Sequence, residues 1–417
     1  MDKPKPFEIS KGLVWEAYKR VKVNKGGAGV DRESLEQFDE KRNKNLYKIW
    51  NRLSSGSYFP PAVRGVEIPK KQGGTRLLGV PTVSDRIAQM TIKLMFEPAV
   101  EPHFLDDSYG YRPNKSALDA VGITRKRCWK YDWLIEFDIK GLFDNIDHEL
   151  LMKAVRHHTD SQCILLYIER WIKAPLELPD GTTKSRDTGT PQGGVISPIL
   201  SNLYLHYVFD VWMTKNHPES SWCRYADDGI CHCKTKEQAE ALLAELKQRF
   251  NECKLEIHPD KTKIVYCNDG NRKEVYSGNT SFVFLGYEFR ARAAENKTAK
   301  VIFCSFLPAI SPKAKKAITQ KIRELNVRNK SSLSLQQIAT WLNPMIRGWI
   351  NYYGKFTKSA LNSVFQRLNR TLTMWSMKKY KKLAHRVTYA AKRMEEMARK
   401  HTNLFAHWQA GIINAHI

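Results

Sequence analysis

The chain has 417 residues, with 68 Lys and Arg against 43 Asp and Glu, a net charge of +25 and an isoelectric point near 9.6. A field of that sign belongs with a polyanion, because phosphate contacts release counterions and dominate affinity for nucleic acid. No apolar run reaches about 18 residues and the opening Met1-Asp2-Lys3-Pro4-Lys5-Pro6 is no signal peptide, which excludes a membrane partner and points to a soluble, intracellular protein. The 8 cysteines are scattered, as in a reducing compartment, and form no disulfide framework.

In chain order, Lys70 and Arg76 flank the turn signal Gly73-Gly74, so a hairpin is expected with the two cations on its paired strands. There the Arg fork and the Lys point charge can hold triphosphate oxygens, although a solvated surface is the plain alternative in so basic a chain. Leu134, Ile135, Phe137 and Ile139 predict a buried strand with Asp138 near its end and a helix after Gly141. A carboxylate inside such a strand is costly unless paired or metal-bound. Pro191-Gln192-Gly193-Gly194 supplies backbone freedom and an amide able to line a nucleotide and template pocket; alone, it reads equally well as an ordinary Gly-rich loop.

Alternation through Ser221–Tyr225 and Gly229–Cys233 predicts two short strands, with Asp227 and Asp228 at the connecting turn. A solvated turn explains paired acids just as well when they stand alone. If the Asp138 strand lies beside this hairpin, the acids converge and a pair of divalent ions can bridge them, with hard oxygen ligands favouring Mg²⁺. Two ions roughly 3.5–4 Å apart would stabilise both the attacking and the leaving oxygen of an in-line phosphoryl displacement. Cys231-His232-Cys233 invites a zinc reading, but alternate positions on a strand face opposite ways and no second ligand pair has finger-like spacing. Asn268-Asp269-Gly270-Asn271 reads as the turn of a hairpin inserted before a Phe282–Phe289 strand. From Ser311 to Lys400 there are 21 Lys and Arg and only three acids. Ile318, Ile322 and Leu325, then Ile338, Leu342, Met345, Ile346 and Trp349, recur at helical spacing, with Ser311-Pro312 and Ser334 as helix starts. A bundle with one apolar and one cationic face is expected there, and the excess of one sign favours RNA over mere solvation.

A series of blocks runs in one order along the chain: Gly26-Gly27-Ala28-Gly29-Val30-Asp31, Ile68 to Lys71, Arg76 to Arg86, Ser108-Tyr109-Gly110-Tyr111-Arg112-Pro113, the Asp138 strand, Gly189 to Pro198, Tyr225-Ala226-Asp227-Asp228, His258 to Lys263 and Phe284-Leu285-Gly286-Tyr287. This series resembles the reverse transcriptases, in particular the reverse transcriptase–maturases encoded by bacterial group II introns. Trp341 to Gly354 resembles the thumb, or maturase domain, of that family, and Asn403-Leu404-Phe405-Ala406-His407-Trp408 resembles the close of its endonuclease-free members.

The resemblance implies an α+β right-hand polymerase. Residues 1–60 would be an N-terminal extension, 61–305 fingers and palm with an antiparallel palm sheet, 306–385 a helical thumb, and 386–417 a short basic DNA-binding appendage with no endonuclease. Asp138, Asp227 and Asp228 would be catalytic and, with Ile139, form the site of two Mg²⁺ ions. Lys70, Arg76, Phe143, Gln192 and Lys261 would meet the incoming nucleotide, Phe143 as the aromatic gate that excludes a 2′-hydroxyl, although core packing is its plain alternative. Arg112, Gly286, Tyr287, Arg347, Trp349 and Tyr352 would contact primer or RNA, although helical periodicity places Trp349 and Tyr353 towards the core. The implied partners are group II intron RNA, an RNA template with a DNA primer, target DNA and deoxynucleotides, in a cytoplasmic bacterial ribonucleoprotein. A reverse transcriptase serving defence, CRISPR spacer acquisition or diversity generation would share the palm, as would a splicing factor with a silent palm. An RNA-dependent RNA polymerase is disfavoured by Phe143.

Overall fold

The strands, in chain order, are β1 Val63–Pro69, β2 Thr75–Val80, β3 Trp133–Asp138, β4 Leu176–Glu177, β5 Thr183–Lys184, β6 Trp222–Tyr225, β7 Asp228–Cys233, β8 Lys263–Tyr266, β9 Phe282–Phe284, β10 Tyr287–Asn296 and β11 Val301–Ile310. The computed structural model describes residues 5–69, 74–272, 274–296 and 301–415. It is a mixed α+β chain with three small sheets, ordered β2-β1-β4-β5, β6-β7-β3-β8 and β11-β10-β9. One compact unit takes the chain up to Ser116 together with Ile135–Lys263; the other takes Ala117–Leu134 and the chain from Ile264 onward.

In the first unit β1 and β2 pair antiparallel with Ile68 opposite Arg76, the expected finger hairpin; Lys70, Lys71 and Gly73 lie outside the described residues. Helix Val83–Val100 starts on Thr82, whose hydroxyl accepts the Asp85 amide. Its neighbour in the core is helix Gln162–Ile172, and Asp85 links the two from a fully buried position. The Asp85 carboxylate accepts from the Tyr58 hydroxyl at 2.9 Å, the Trp171 indole at 2.8 Å and the Gln89 amide at 2.8 Å. Burial pushes its carboxyl above the ordinary range, an effect these three donors oppose.

In the second unit the helices Pro312–Glu324, Leu335–Tyr353, Asn362–Lys379 and Val387–Lys400 enclose one apolar core that includes Ile318, Ile338, Leu342, Phe365, Leu368 and Trp375. Ser311 and Ser334 cap the first two as the sequence predicts, Ser334 with a full capping box through Gln337. The Phe282–Phe289 segment is not one strand. It folds back at Leu285-Gly286, with φ of 50° and 80°, so that Phe284 pairs with Tyr287. Two successive left-handed residues fit a tight hairpin turn that a continuous strand cannot accommodate. The Asn268–Asn271 turn does form, with the Asn268 and Asp269 side chains accepting from Gly270, Asn271 and Arg272 amides, but β9 beyond it joins β10 and not β8.

The close of the described chain is tied to this core by one buried amide. Asn369 accepts from the Trp408 indole at 2.8 Å, pairs with His407 Nε2 at 2.7 Å, and donates to the carbonyls of Ile412 and Asn414 at 3.1 Å each. Burial drives the His407 imidazole down to a pKa of about 3, so the ring is neutral and its Nε2–H donates. Asn369→Leu leaves these buried groups without partners and is expected to destabilise the helical unit by about 3 kcal/mol. A denaturant midpoint followed by tryptophan fluorescence checks this, and an unchanged midpoint would contradict it.

Candidate active site

The site begins with β3, whose Leu134, Ile135 and Phe137 are buried and whose last residue, Asp138, is 8% exposed. Gly141, with φ 59°, turns the chain into the short helix Leu142–Asn145. β3 lies between β7 and β8, and the Ile139 amide donates to the Asp227 carbonyl at 3.3 Å. The β6–β7 hairpin is antiparallel with Tyr225 opposite Asp228, which leaves Ala226 and Asp227 as a two-residue turn. Asp138, Asp227 and Asp228 are thereby brought together as the sequence predicts.

Glu136 joins them, two residues before Asp138 on the same face of β3, and pairs with Lys263 at 3.2 Å. Its period-2 spacing from Asp138 was the available signal. The charges oppose one another: burial raises the Asp227 carboxyl, with Asp138 adding to the effect. Asp228 is pushed up to about 7 by burial first, then by Asp227, Asp138 and Glu136.

Lys261 answers part of this excess. The His258 amide donates to the Asp138 carbonyl at 2.8 Å, so the turn Pro259–Lys261 sits beside the end of β3 and the Lys261 ammonium donates to the Asp138 carboxylate. That hydrogen bond raises the Lys261 pKa and keeps the side chain charged. Among the described residues no three carboxylate, imidazole or thiolate groups stand at metal-ligand spacing. The donor set nevertheless suits a hard divalent cation: carboxylate oxygens in surplus, buried or half-buried and mutually repelling.

A buried ion pair that the sequence reading missed holds the turn. Arg224 is fully buried and donates from Nε and Nη2 to the two Asp210 oxygens, both at 2.7 Å. Its remaining contacts are Asn202 Oδ1 at 3.1 Å, the Ser108 hydroxyl at 2.8 Å and the Ala226 carbonyl at 3.2 Å. Ala226 takes φ 56°, and Gly110 lies so close that a Cβ there would meet the Ala226 nitrogen at 2.4 Å. Asp210 reaches Arg224 from the π-helical segment His206–Asp210.

Backbone hydrogen bonds tie the Gln192 loop to its neighbours. The Gln192 carbonyl accepts the Gly79 amide of β2 at 2.7 Å, and Gln89 Oε1 accepts the amides of Val195 at 2.7 Å and Ile196 at 3.2 Å. Half-buried Phe143 offers its carbonyl to the Thr190 amide at 2.7 Å, which joins the post-Asp138 helix to the loop carrying Gln192. Arg76 is exposed on β2. Arg86 donates to the carbonyls of Lys25 at 3.1 Å and Gly27 at 2.8 Å, anchoring the N-terminal block.

Two expected nucleic-acid contacts turn inward. Arg112 has a side chain 6% exposed, bound to Glu101 and to the carbonyls of Phe104, Leu105 and Ser108, so it clamps its own loop. Tyr287 is fully buried and donates its hydroxyl to the Tyr352 carbonyl, an arrangement of core packing. Tyr352 is half-buried and donates to the Leu285 carbonyl at 2.8 Å, while Gly286 faces the Tyr353 ring. Trp349 and Tyr353 pack against the helical core, in line with their periodicity, and Arg347 is exposed.

A carboxylate cluster at the end of one strand and a tight hairpin, with a lysine on one acid and a glutamine loop alongside, is the layout of a nucleotidyl-transferring polymerase. A family model for reverse transcriptase (RNA-dependent DNA polymerase) matches residues 68–289, which contain the whole cluster, and one for the group II intron maturase-specific domain matches residues 315–395. The chain belongs to the group II intron reverse transcriptase–maturase family. It is 33% identical to protein YkfC of Escherichia coli over 331 residues, 68% of this chain and 82% of that one. It is 27% identical to the group II intron-encoded protein LtrA of Lactococcus lactis over 440 residues, 86% of this chain and 70% of that one. A putative COX1/OXI3 intron 1 protein of Saccharomyces cerevisiae is 31% identical over 197 residues, 47% of this chain and 23% of that one. Reverse transcriptases generally use divalent metal ions, and a maturase domain implies binding of intron RNA. Among the described residues no helix is long and apolar enough to cross a membrane.

Proposed function

We propose that this reverse transcriptase copies RNA from a DNA primer at Asp138, Asp227 and Asp228, and that its helical region binds its own group II intron RNA to promote splicing and retrohoming by target-primed reverse transcription. The observation that carries the reading is the convergence of these acids at the end of β3 and the β6–β7 hairpin in a chain whose later part matches the maturase-specific domain. The three acids, with the backbone at Ile139, would hold two Mg²⁺ ions. When bound, these ions supply the positive charge that eases deprotonation of the primer 3′-hydroxyl and offsets charge on the triphosphate. Lys261 keeps Asp138 in place and presents an ammonium to the leaving pyrophosphate. Lys70 and Arg76 meet the triphosphate, Gln192 lines the base pocket, and Phe143 lies under the sugar. In this reading residues 61–305 are fingers and palm of a right hand, 306–385 the thumb, and 386–417 a DNA-binding appendage. The protein works as a ribonucleoprotein in the bacterial cytoplasm, in keeping with its relatives from Escherichia coli and Lactococcus.

The test is extension of a DNA primer on RNA with Mg²⁺, alongside splicing of the intron RNA with and without protein. Wild type is expected to use deoxynucleotides and to discriminate against ribonucleotides. Phe143→Ala is expected to relax that discrimination by about tenfold or more, because the space left by the ring admits the 2′-hydroxyl. Wild type that speeds splicing but extends nothing on several templates would remove the polymerase half of the proposal.

A further inference from the structure

In the helical unit, a groove of about 670 Å³ is lined by the helices Pro312–Glu324 and Asn362–Lys379 and by Arg328 of the short turn Val327–Asn329. Four arginines line it, Arg323, Arg328, Arg367 and Arg370, with no acid among the lining residues. All four are exposed, and among the described residues none is tied to a carboxylate.

The spacing explains why the cations share one wall. Ser363, Arg367, Arg370 and Thr371 recur at helical intervals, so they lie on one face of their helix over about 12 Å, eight residues at 1.5 Å each. The buried side of the same helix carries Val364, Leu368 and Leu372 into the core. Arg323 stands on the facing helix, one residue after the buried Ile322. Arg367 and Arg370 are like charges three residues apart, an arrangement that weakens a helix unless something negative is bound. Guanidinium forks bind phosphate bidentately, and the hydroxyls of Ser363 and Thr371 add neutral donors between them.

We infer that this arginine groove is a binding track for the phosphodiester backbone of folded intron RNA, set apart from the polymerase reaction. A length of about 12 Å matches a run of phosphates rather than one anion. The inference rests on the maturase reading above and adds to it the residues and the chemical group recognised.

The test uses full-length protein with all four arginines changed to Gln, and a second variant with all four changed to Lys. Binding of intron RNA is measured from 50 to 500 mM salt, and extension of a short primer–template is measured in parallel. The Gln variant is expected to bind intron RNA at least about tenfold more weakly at 0.1 M salt. Its log-log salt slope should be shallower by about 0.7–0.9 for each phosphate no longer neutralised, or about 3 for four. The Lys variant should keep the slope but lose affinity, because it retains charge without the fork. Primer extension should persist in both variants. Unchanged RNA affinity and slope in a Gln variant that melts like wild type would overturn the groove. So would an equal loss of primer–template affinity, which would assign the arginines to the substrate duplex. Wild type that binds intron RNA no better than unrelated RNA would instead sink the maturase reading on which the groove depends.

Discussion

Asp227→Asn is expected to slow deoxynucleotide incorporation by about 10³-fold or more while leaving protein-assisted splicing near the wild-type rate. Asn has nearly the same volume as Asp and keeps hydrogen-bonding capacity, so the turn between β6 and β7 should survive and only the charge is lost. The charge is what the reaction needs: these acids are hard oxygen donors in the reverse transcriptase part of the chain, and a neutral amide holds a divalent cation poorly. Splicing draws on the separate maturase-specific region, residues 315–395. The same cluster predicts the opposite effect on stability. Asp228 is raised to about 7 because it is buried beside Asp227, Asp138 and Glu136, so its ionised form is disfavoured in the fold. Asp228→Asn is therefore expected to melt higher than wild type in EDTA while incorporating poorly, a stability–activity trade-off seated in one side chain. Single-nucleotide incorporation, splicing and thermal melts decide the matter. Wild-type incorporation by Asp227→Asn, or loss of splicing in a variant that remains folded, would refute the division of labour.

The sequence makes the acids legible because they stand at the ends of short apolar strands: Leu134, Ile135 and Phe137 lead to Asp138, and Trp222 and Ile230 flank the turn that holds Asp227. Helix starts at Ser311 and Ser334 were equally readable, since capping is a local exchange between a hydroxyl and an amide three residues on. Less legible was which cations and aromatics turn outward. Arg112 and Tyr287 have the right chemistry for RNA, but whether a side chain turns outward depends on partners such as Glu101 and the Tyr352 carbonyl, 11 and 65 residues away. The Phe282–Phe289 segment read as one strand because apolar residues dominate it, and the left-handed pair Leu285-Gly286 that breaks it announces itself only through a single glycine. Arg224 was hidden for the same reason as Arg112: its partners Asp210 and Ser108 lie 14 and 116 residues off, one of them on a π-helical segment that no periodicity marks.

Arg224 gives the second large effect, and its argument turns on separating stability from position. Removing the arginine alone, as Arg224→Met, leaves Asp210 charged and fully buried, and is expected to cost about 3–5 kcal/mol. Inactivity of that variant would prove little. Replacing both partners, as Arg224→Met with Asp210→Leu, removes the stranded charge, and buried pairs exchanged for apolar residues of similar size are often as stable as the original. Yet the double variant still lacks the guanidinium that reaches the Ala226 carbonyl, Asn202 and Ser108. With Ala226 held at φ 56° next to Gly110, the turn carrying Asp227 loses its anchor on the protein side. Melting close to wild type is therefore expected together with a kcat lowered by about tenfold or more and a nearly unchanged KM for the nucleotide, since a displacement of the acids weakens the transition state more than binding. Arg224→Lys, which keeps the charge but not the fork, should fall between the two in both measurements. A double variant that is both stable and fully active would show that the ion pair serves folding alone and that the turn holds its shape without it.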